Sequence, residues 1–165
     1  MIFVTVGTTG FPFDRILRII DEVVSGFDTR EKLIVQKGAS LYRFKYKNIK
    51  VFAETSFGRM IHFLKKARVT VCGGGPSTIF LALKHGKNKP LVFPRCFKFG
   101  EHVDDHEVFF TRFFKNEGKI ITVFPEEDAV SKVKNYLHRP ESVSSRNQLL
   151  VSKELIRKLT EFCHD

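Results

Sequence analysis

The sequence predicts a doubly wound α/β domain built on one parallel sheet of about six strands. Short β-branched and aromatic runs alternate along the chain with stretches whose apolar residues recur at helical spacing. Strand, glycine-rich loop and helix start follow one another twice, at Gly7-Thr8-Thr9-Gly10 and at Gly73-Gly74-Gly75-Pro76. The chain has 165 residues, 42% of them hydrophobic and 28% charged, enough for one core that needs neither disulfides nor a structural metal.

Residues 2–6 form the first expected strand, and Pro12 and Asp14 lead from its glycine loop into a helix marked by Ile16, Leu17, Ile20, Val23 and Val24. Residues 33–36 and 49–53 are the next two strands, separated by a segment rich in Lys and Tyr over 42–50. Thr55 or Ser56 caps a helix that carries Met60, Ile61, Phe63, Leu64 and Ala67 on its buried side. Residues 68–72 are the fourth strand, and the helix over 77–85 offers Ile79, Phe80, Ala82 and Leu83 for packing. The fifth strand, 90–93, runs into a polar loop over 95–102 and a helix through Phe109, Phe110, Phe113 and Phe114, stopped by Gly118. A sixth strand over 120–124 and a helix over 126–137 complete a single domain, residues 1–139. Residues 140–165 read as a helical extension, capped at Ser144 or Ser145, whose Leu149, Ile156, Leu159 and Phe162 pack on the domain itself or on a partner.

Composition narrows the function classes. The first residues lack a positive n-region and have only a short strand-like run before Gly7, which does not suit a signal peptide. No apolar run approaches the roughly 20 residues that span a bilayer. Cys72, Cys96 and Cys163 form no CxxC pair, which suits a reducing, cytoplasmic compartment. Lys and Arg number 28 against 18 Asp and Glu, and the net charge of +10 favours an anionic partner: nucleic acid, phospholipid headgroups or phosphorylated substrates. The alternation Tyr42-Arg43-Phe44-Lys45-Tyr46-Lys47 fits either a nucleic-acid-binding module or a solvated edge strand.

In an open parallel sheet, ligands sit beyond the carboxyl ends of the strands, where both glycine segments fall. Gly7 lets the backbone approach an anion and the Thr8 and Thr9 hydroxyls donate to phosphate oxygens. Gly74 and Gly75, with Pro76, Ser77 and Thr78 opening the next helix, direct the positive helix end at the same space, which suits a diphosphate. GxxxxGK[ST] is absent, which disfavours ATP hydrolysis, and the strand ending in Gln36 lacks the acidic residue of a dinucleotide fingerprint. The third segment packs Glu101, His102, Asp104, Asp105, His106 and Glu107 into seven residues. Three readings stand for it. His102 and His106 suit a metal if the segment is helical, but HExxH order is missing and no third ligand is evident, so none is expected. The groups alternatively grip a polyhydroxylated ligand, with Arg95 and Lys98 on phosphate. Otherwise Asp104 and Asp105 simply face a helix dipole.

Together these segments resemble one family. Phe3-Val4-Thr5-Val6-Gly7-Thr8-Thr9 with Phe13-Asp14, the Gly74-Gly75-Pro76 loop, and Pro94-Arg95 followed by Gly100-Glu101-His102-Val103-Asp104-Asp105-His106 resemble the C-terminal, donor-binding half of glycosyltransferase family 28 over residues 1–137. The chain is most similar to short, split members: the cytosolic subunit of the eukaryotic dolichol-diphosphate GlcNAc transferase and PssE-like or EpsF-like polysaccharide subunits. The resemblance implies a Rossmann-like half of a GT-B enzyme that needs no cofactor and no metal. Its UDP-sugar, GlcNAc-like or a uronic acid, is transferred with inversion to a lipid-diphosphate-linked acceptor. A membrane-anchored partner subunit supplies the acceptor half and the general base, so the chain is recruited peripherally to the membrane, with no nucleic acid involved. In isolation, the exposed partner face would favour a homodimer.

By the same resemblance Gly7, Thr8, Thr9, Gly74, Gly75, Pro76, Ser77, Thr78 and Arg95 hold the diphosphate end of the donor, and Glu101, His102, Asp105, His106 and Glu107 hold its sugar. The chain departs from the family pattern at three positions: Gly73 stands where relatives have His, Leu81 where they have a ribose-binding Glu, and Glu107 where they have Gln. Each departure leaves open whether the donor is retuned or catalysis is lost, the latter giving a nucleotide-sugar-binding or regulatory subunit.

Overall fold

The computed structural model describes residues 1–26 and 31–143; the expected helix of the extension lies outside the described residues. Six parallel strands, β1 (Ile2–Thr5), β2 (Leu33–Gln36), β3 (Ile49–Phe52), β4 (Val69–Gly73), β5 (Leu91–Phe93) and β6 (Ile121–Thr122), form one sheet in the order β3-β2-β1-β4-β5-β6. The inner strands β1, β2, β4 and β5 are buried on both sides, where helices cover both faces, while edge strand β3 leaves Lys50 and Val51 exposed. Phe3 pairs in register with Ile34 and Thr70, and Val4 with Val35 and Val71.

Helices α1 (Asp14–Gly26) and α5 (Ala129–His138) cover one face. There Ile16, Leu17 and Ile20 meet Val4, Val35, Val71 and Phe93 from the sheet and Val133 from α5. Helices α2 (Phe57–Lys66), α3 (Pro76–His85) and α4 (His106–Asn116) cover the other, where α2 and α3 bury Phe3 and Ile34, while α3 and α4 bury Cys72 and Val92. Each such fully buried side chain contributes about 1.5–3 kcal/mol of transfer free energy. Ser56, one of the two expected caps, accepts a hydrogen bond from the Arg59 N–H and starts α2.

β2 and β3 are joined without a helix. Residues 40–47 run as an extended strap outside the sheet, neither helix nor the edge strand that the alternation allows. Tyr42, Phe44 and Tyr46 pack against the α1 face while Arg43, Lys45 and Lys47 are exposed, so the aromatic rings that a nucleic-acid platform would need are turned into the protein. Strap backbone without a ladder partner needs another acceptor. Buried Asp21 of α1 provides it, accepting from the Lys45 N–H at 2.8 Å, the Tyr46 N–H at 3.0 Å and the Tyr42 hydroxyl at 2.9 Å.

After α5 the chain turns back. Residues 140–143 lie beside the α3–β5 connection, with the Lys89 N–H donating to the Glu141 carbonyl and the Val143 N–H to that of Lys87. No helix among the described residues is long and apolar enough to cross a membrane.

Candidate functional site

The strand order reverses between β1 and β4, whose following connections leave toward opposite sides of the sheet. A crevice forms at such a switch point, beyond the strand ends. The two glycine loops are the segments that leave β1 and β4 there.

In the β1–α1 loop Gly7 has φ +79°, a left-handed conformation that glycine adopts without strain, and Thr8, Thr9 and Gly10 are exposed. The loop is held from behind. The Gln36 side-chain amide donates to the Gly7 carbonyl at 2.8 Å and the Ala53 carbonyl at 3.2 Å, while its oxygen accepts from the Thr5 hydroxyl. Gly38, at φ +53°, passes so close that a Cβ there would stand 2.6 Å from the Gly7 oxygen.

Arg95, expected on phosphate, is the second brace. It is 2% exposed. Its guanidinium donates to the carbonyls of Val6 (2.7 Å), Phe11 (3.0 Å) and Glu101 (2.8 Å) and lies 4.6 Å from the centre of the Phe13 ring. Its planar fork ties the β1–α1 loop to the segment after β5 instead of facing the crevice.

The β4–α3 loop is more closed than glycine composition alone implies. The Gly74 N–H donates at 3.0 Å to Glu107 Oε2, which also accepts from the Arg95 N–H at 3.0 Å. A Cβ on Gly74 would lie 2.8 Å from that oxygen and 3.1 Å from Pro94 Cα, so glycine is needed there for close approach. Glu107 is buried, and its charge sits at the loop expected to take a diphosphate. Beyond it, Gly75 is the N-cap of α3 with no side chain capping it, Pro76 occupies the first turn, Ser77 is exposed and Thr78 half-buried. The helix end there is left for solvent or an anion.

Over 94–107 half of the charged residues, Arg95, Glu101 and Glu107, are buried, while Lys98, Asp104 and Asp105 are exposed. Glu101 is buried, paired through both oxygens with Arg15 of α1 at 2.9 and 2.8 Å, and accepts from the Cys96 N–H. Exposed Asp105 accepts from the Phe97 N–H at 2.8 Å. Glu101 and Glu107, both expected on the sugar, therefore serve the fold through at least part of their oxygens. His102 stacks on Phe11, with ring centres 5.7 Å apart, and meets His106 edge-on at 4.5 Å. His106 touches Asp104 through Nδ1 and donates its backbone N–H to the same carboxylate at 3.1 Å. Those bonds from His106, backbone first, hold the Asp104 carboxyl below its usual range. Burial, and then Glu107, push the Cys72 thiol far up, so it is no nucleophile.

Of the three departures, Leu81 packs on the α2–α3 apolar cluster, and Gly73 closes β4 with Phe13 at ordinary contact distance from where a Cβ would stand. Sequence reasoning missed Arg15 and the bracing by Gln36, and it named Asp104 only within the charged segment, where it faces a helix dipole. Gln36 had a signal, since it was already noted as the non-acidic end of β2. Arg15 had none, because a cation on a helix start looks like solvent-facing charge until Glu101 is placed beside it.

A parallel sheet in this order, with two glycine loops meeting at its switch point, defines a Rossmann-like α/β domain. Residues 1–158 match the glycosyltransferase family 28 C-terminal domain, and the chain belongs to that family. It is thus a donor-binding domain of glycosyltransferase type. Among solved structures it is similar to a flavodoxin-like domain from Synechococcus sp., at 13% identity and a TM-score of 0.50, over 84% of this chain and 99% of that one. It also matches the glycosyltransferase SnogD from Streptomyces nogalater at 14% identity and a TM-score of 0.45, over 91% of this chain. The chain spans 43% of the length of SnogD. Curated proteins yield no match.

Proposed function

We propose that this domain is the donor-binding half of an inverting GT-B glycosyltransferase that takes a UDP-sugar, GlcNAc-like or a uronic acid. A separate membrane-anchored subunit holds the lipid-diphosphate-linked acceptor and carries the general base. The observation that supports this best is the pairing of the exposed Thr8-Thr9 turn with the uncapped start of α3 across the β1/β4 switch point. The acceptor hydroxyl attacks the anomeric carbon, the partner's base takes its proton, and the bond to UDP breaks with the electron pair leaving on the diphosphate. Charge on that leaving group is met by the Thr8 and Thr9 hydroxyls and the N-terminal turn of α3 at Gly75, Ser77 and Thr78. The sugar lies toward His102, Asp105 and His106, the accessible members of the 94–107 segment.

A second reading is favoured by one observation: the Glu107 carboxylate already occupies the Gly74 N–H and repels an anion at the same loop. It makes the domain a nucleotide-sugar-binding subunit without catalysis. Titration of the chain with UDP, UDP-sugars, ADP and NAD separates these from an unrelated role, because a ligand that binds the native state raises its stability. Uridine-selective stabilisation, abolished by Gly75→Asp, is expected. Stabilisation by ADP or NAD instead would overturn the donor assignment. Sugar transfer on adding the acceptor subunit then decides between a catalytic and a binding role.

A further inference from the structure

The spacing of His102 and His106 left a metal without a third ligand, and the fold supplies one from between them. We propose that His102, Asp104 and His106 form a site for a divalent transition-metal cation of the zinc class at the crevice mouth. Each of the three offers a ligand atom, all within 4.8 Å of one another. The segment before α4 is not helical, so the two imidazoles converge by loop curvature around Asp104 rather than by an i, i+4 repeat.

His102 carries the argument furthest. Its Nδ1 is buried with no hydrogen-bond partner among the described residues, although its ring is fixed by Phe11 on one side and His106 on the other. A buried ring nitrogen left without a partner is costly, and a cation taking its lone pair removes that cost. That nitrogen stands 3.6 Å from Asp104 Oδ1. Zinc bonds of about 2.0–2.1 Å in tetrahedral geometry place neighbouring ligand atoms about 3.3–3.5 Å apart, close to this spacing. His106 and Asp104 are each at least half exposed, so their side chains have room to open to the same separation. Two imidazoles and one carboxylate select zinc-like cations over Mg²⁺ or Ca²⁺, and three protein ligands leave a fourth position for an oxygen ligand.

The location gives that open position a use. His102 leans on Phe11 of the β1–α1 loop, and Glu107, which follows His106, holds Gly74 of the β4–α3 loop. If the donor reading above holds, an oxygen of the donor sugar is placed to complete the shell; the cation site itself does not depend on it.

The test is calorimetric titration of the tag-free, chelator-treated full chain with Zn²⁺, and absorption spectroscopy with Co²⁺ as the coloured probe. One Zn²⁺ per chain is expected, with affinity reduced about tenfold or more by each of His102→Ala, Asp104→Asn and His106→Ala. His62→Ala and the double variant Cys163→Ser/His164→Ala serve as controls and are expected to leave it unchanged. Circular dichroism of the metal-free variants confirms that each remains folded. Absence of saturable Zn²⁺ binding overturns the proposal. So does binding that survives all three ligand variants or is lost with Cys163 and His164. UDP titrated into the metal-free chain reads the donor assignment separately, so either idea can fail without the other.

Discussion

Two segments border the crevice and were built in opposite ways. The β1–α1 loop, Gly7-Thr8-Thr9-Gly10, has no charge, yet Thr8, Thr9 and Gly10 face solvent. The 94–107 segment is dense in charge, yet Arg95, Glu101 and Glu107 are buried and bonded within the fold. Charge that is taken out of water must be paired or hydrogen-bonded, so a charged stretch inside a domain becomes bracing for its neighbours. The uncharged loop is left as the surface a ligand can reach. Density of ionisable residues in a sequence therefore points to the neighbourhood of a site better than to the atoms that touch the ligand.

Breaking the brace is the severest test of this contrast. Arg95→Met removes the donors to the Val6, Phe11 and Glu101 carbonyls and the cation whose charge interacts with Glu107 and Glu101. A loss of about 3–5 kcal/mol is expected in denaturant unfolding, as for other broken buried ionic networks. Arg95→Lys should recover little, since one ammonium cannot reproduce the fork. A loss below about 1 kcal/mol would show that Arg95 is not a brace. Gly74→Ala comes next, at about 1–3 kcal/mol, because its Cβ would press on Pro94 backbone and on Glu107. Gly75→Ala places a Cβ 3.6 Å from Glu107 Oε1, an ordinary contact, and should cost only about 0.5–1 kcal/mol, the preference of an N-cap for glycine over alanine. Equal losses at the two glycines would remove the case for close approach at Gly74.

Glu107→Gln sharpens the comparison from the inner side. A glutamine oxygen can keep accepting from the Gly74 and Arg95 N–H groups while the negative charge disappears. UDP affinity should rise about tenfold, well within what removing one like charge a few ångströms away can supply. Unchanged or weaker binding would mean that the carboxylate does not oppose the diphosphate.

The sheet was legible because its signal is repeated. Every strand is a short apolar run, each helix has a stripe facing it, and all six strands and five of the helices lie where periodicity puts them. The strap over 40–47 was not legible as a strap, since alternating aromatics and cations look alike in an edge strand and in a crossover pinned by Asp21; only the tertiary acceptor separates them. The site was legible by location rather than by role. Gly7, Thr8, Thr9, Gly75, Ser77, His102 and His106 do gather at one end of the sheet. The inward turn of Arg95, Glu101 and Glu107 was hidden because it depends on Arg15 and on carbonyls of Val6 and Phe11, which lie some eighty residues earlier. The contact of Asp104 with both histidines was hidden for a different reason: it comes from loop curvature that brings the two rings to it.

The smallest expected effect is the most discriminating. If the β1–α1 loop contacts ligand and carries no structural burden, Thr8→Ala combined with Thr9→Ala should leave the unfolding midpoint within about 1 °C, because both residues are exposed and replacing them strands no buried group. The loop would keep its shape, since Gly7 is fixed by Gln36 and the neighbouring carbonyls by Arg95, none of which involves either hydroxyl. UDP affinity should nevertheless fall, by about 5- to 30-fold, if each hydroxyl donates one bond worth about 0.5–1 kcal/mol net. Stability lost with affinity retained would reverse the assignment of the two segments, making the threonine turn the scaffold and the charged segment the binding surface. Affinity lost with stability retained, set against the opposite pattern at Arg95, separates contact from bracing in one pair of titrations.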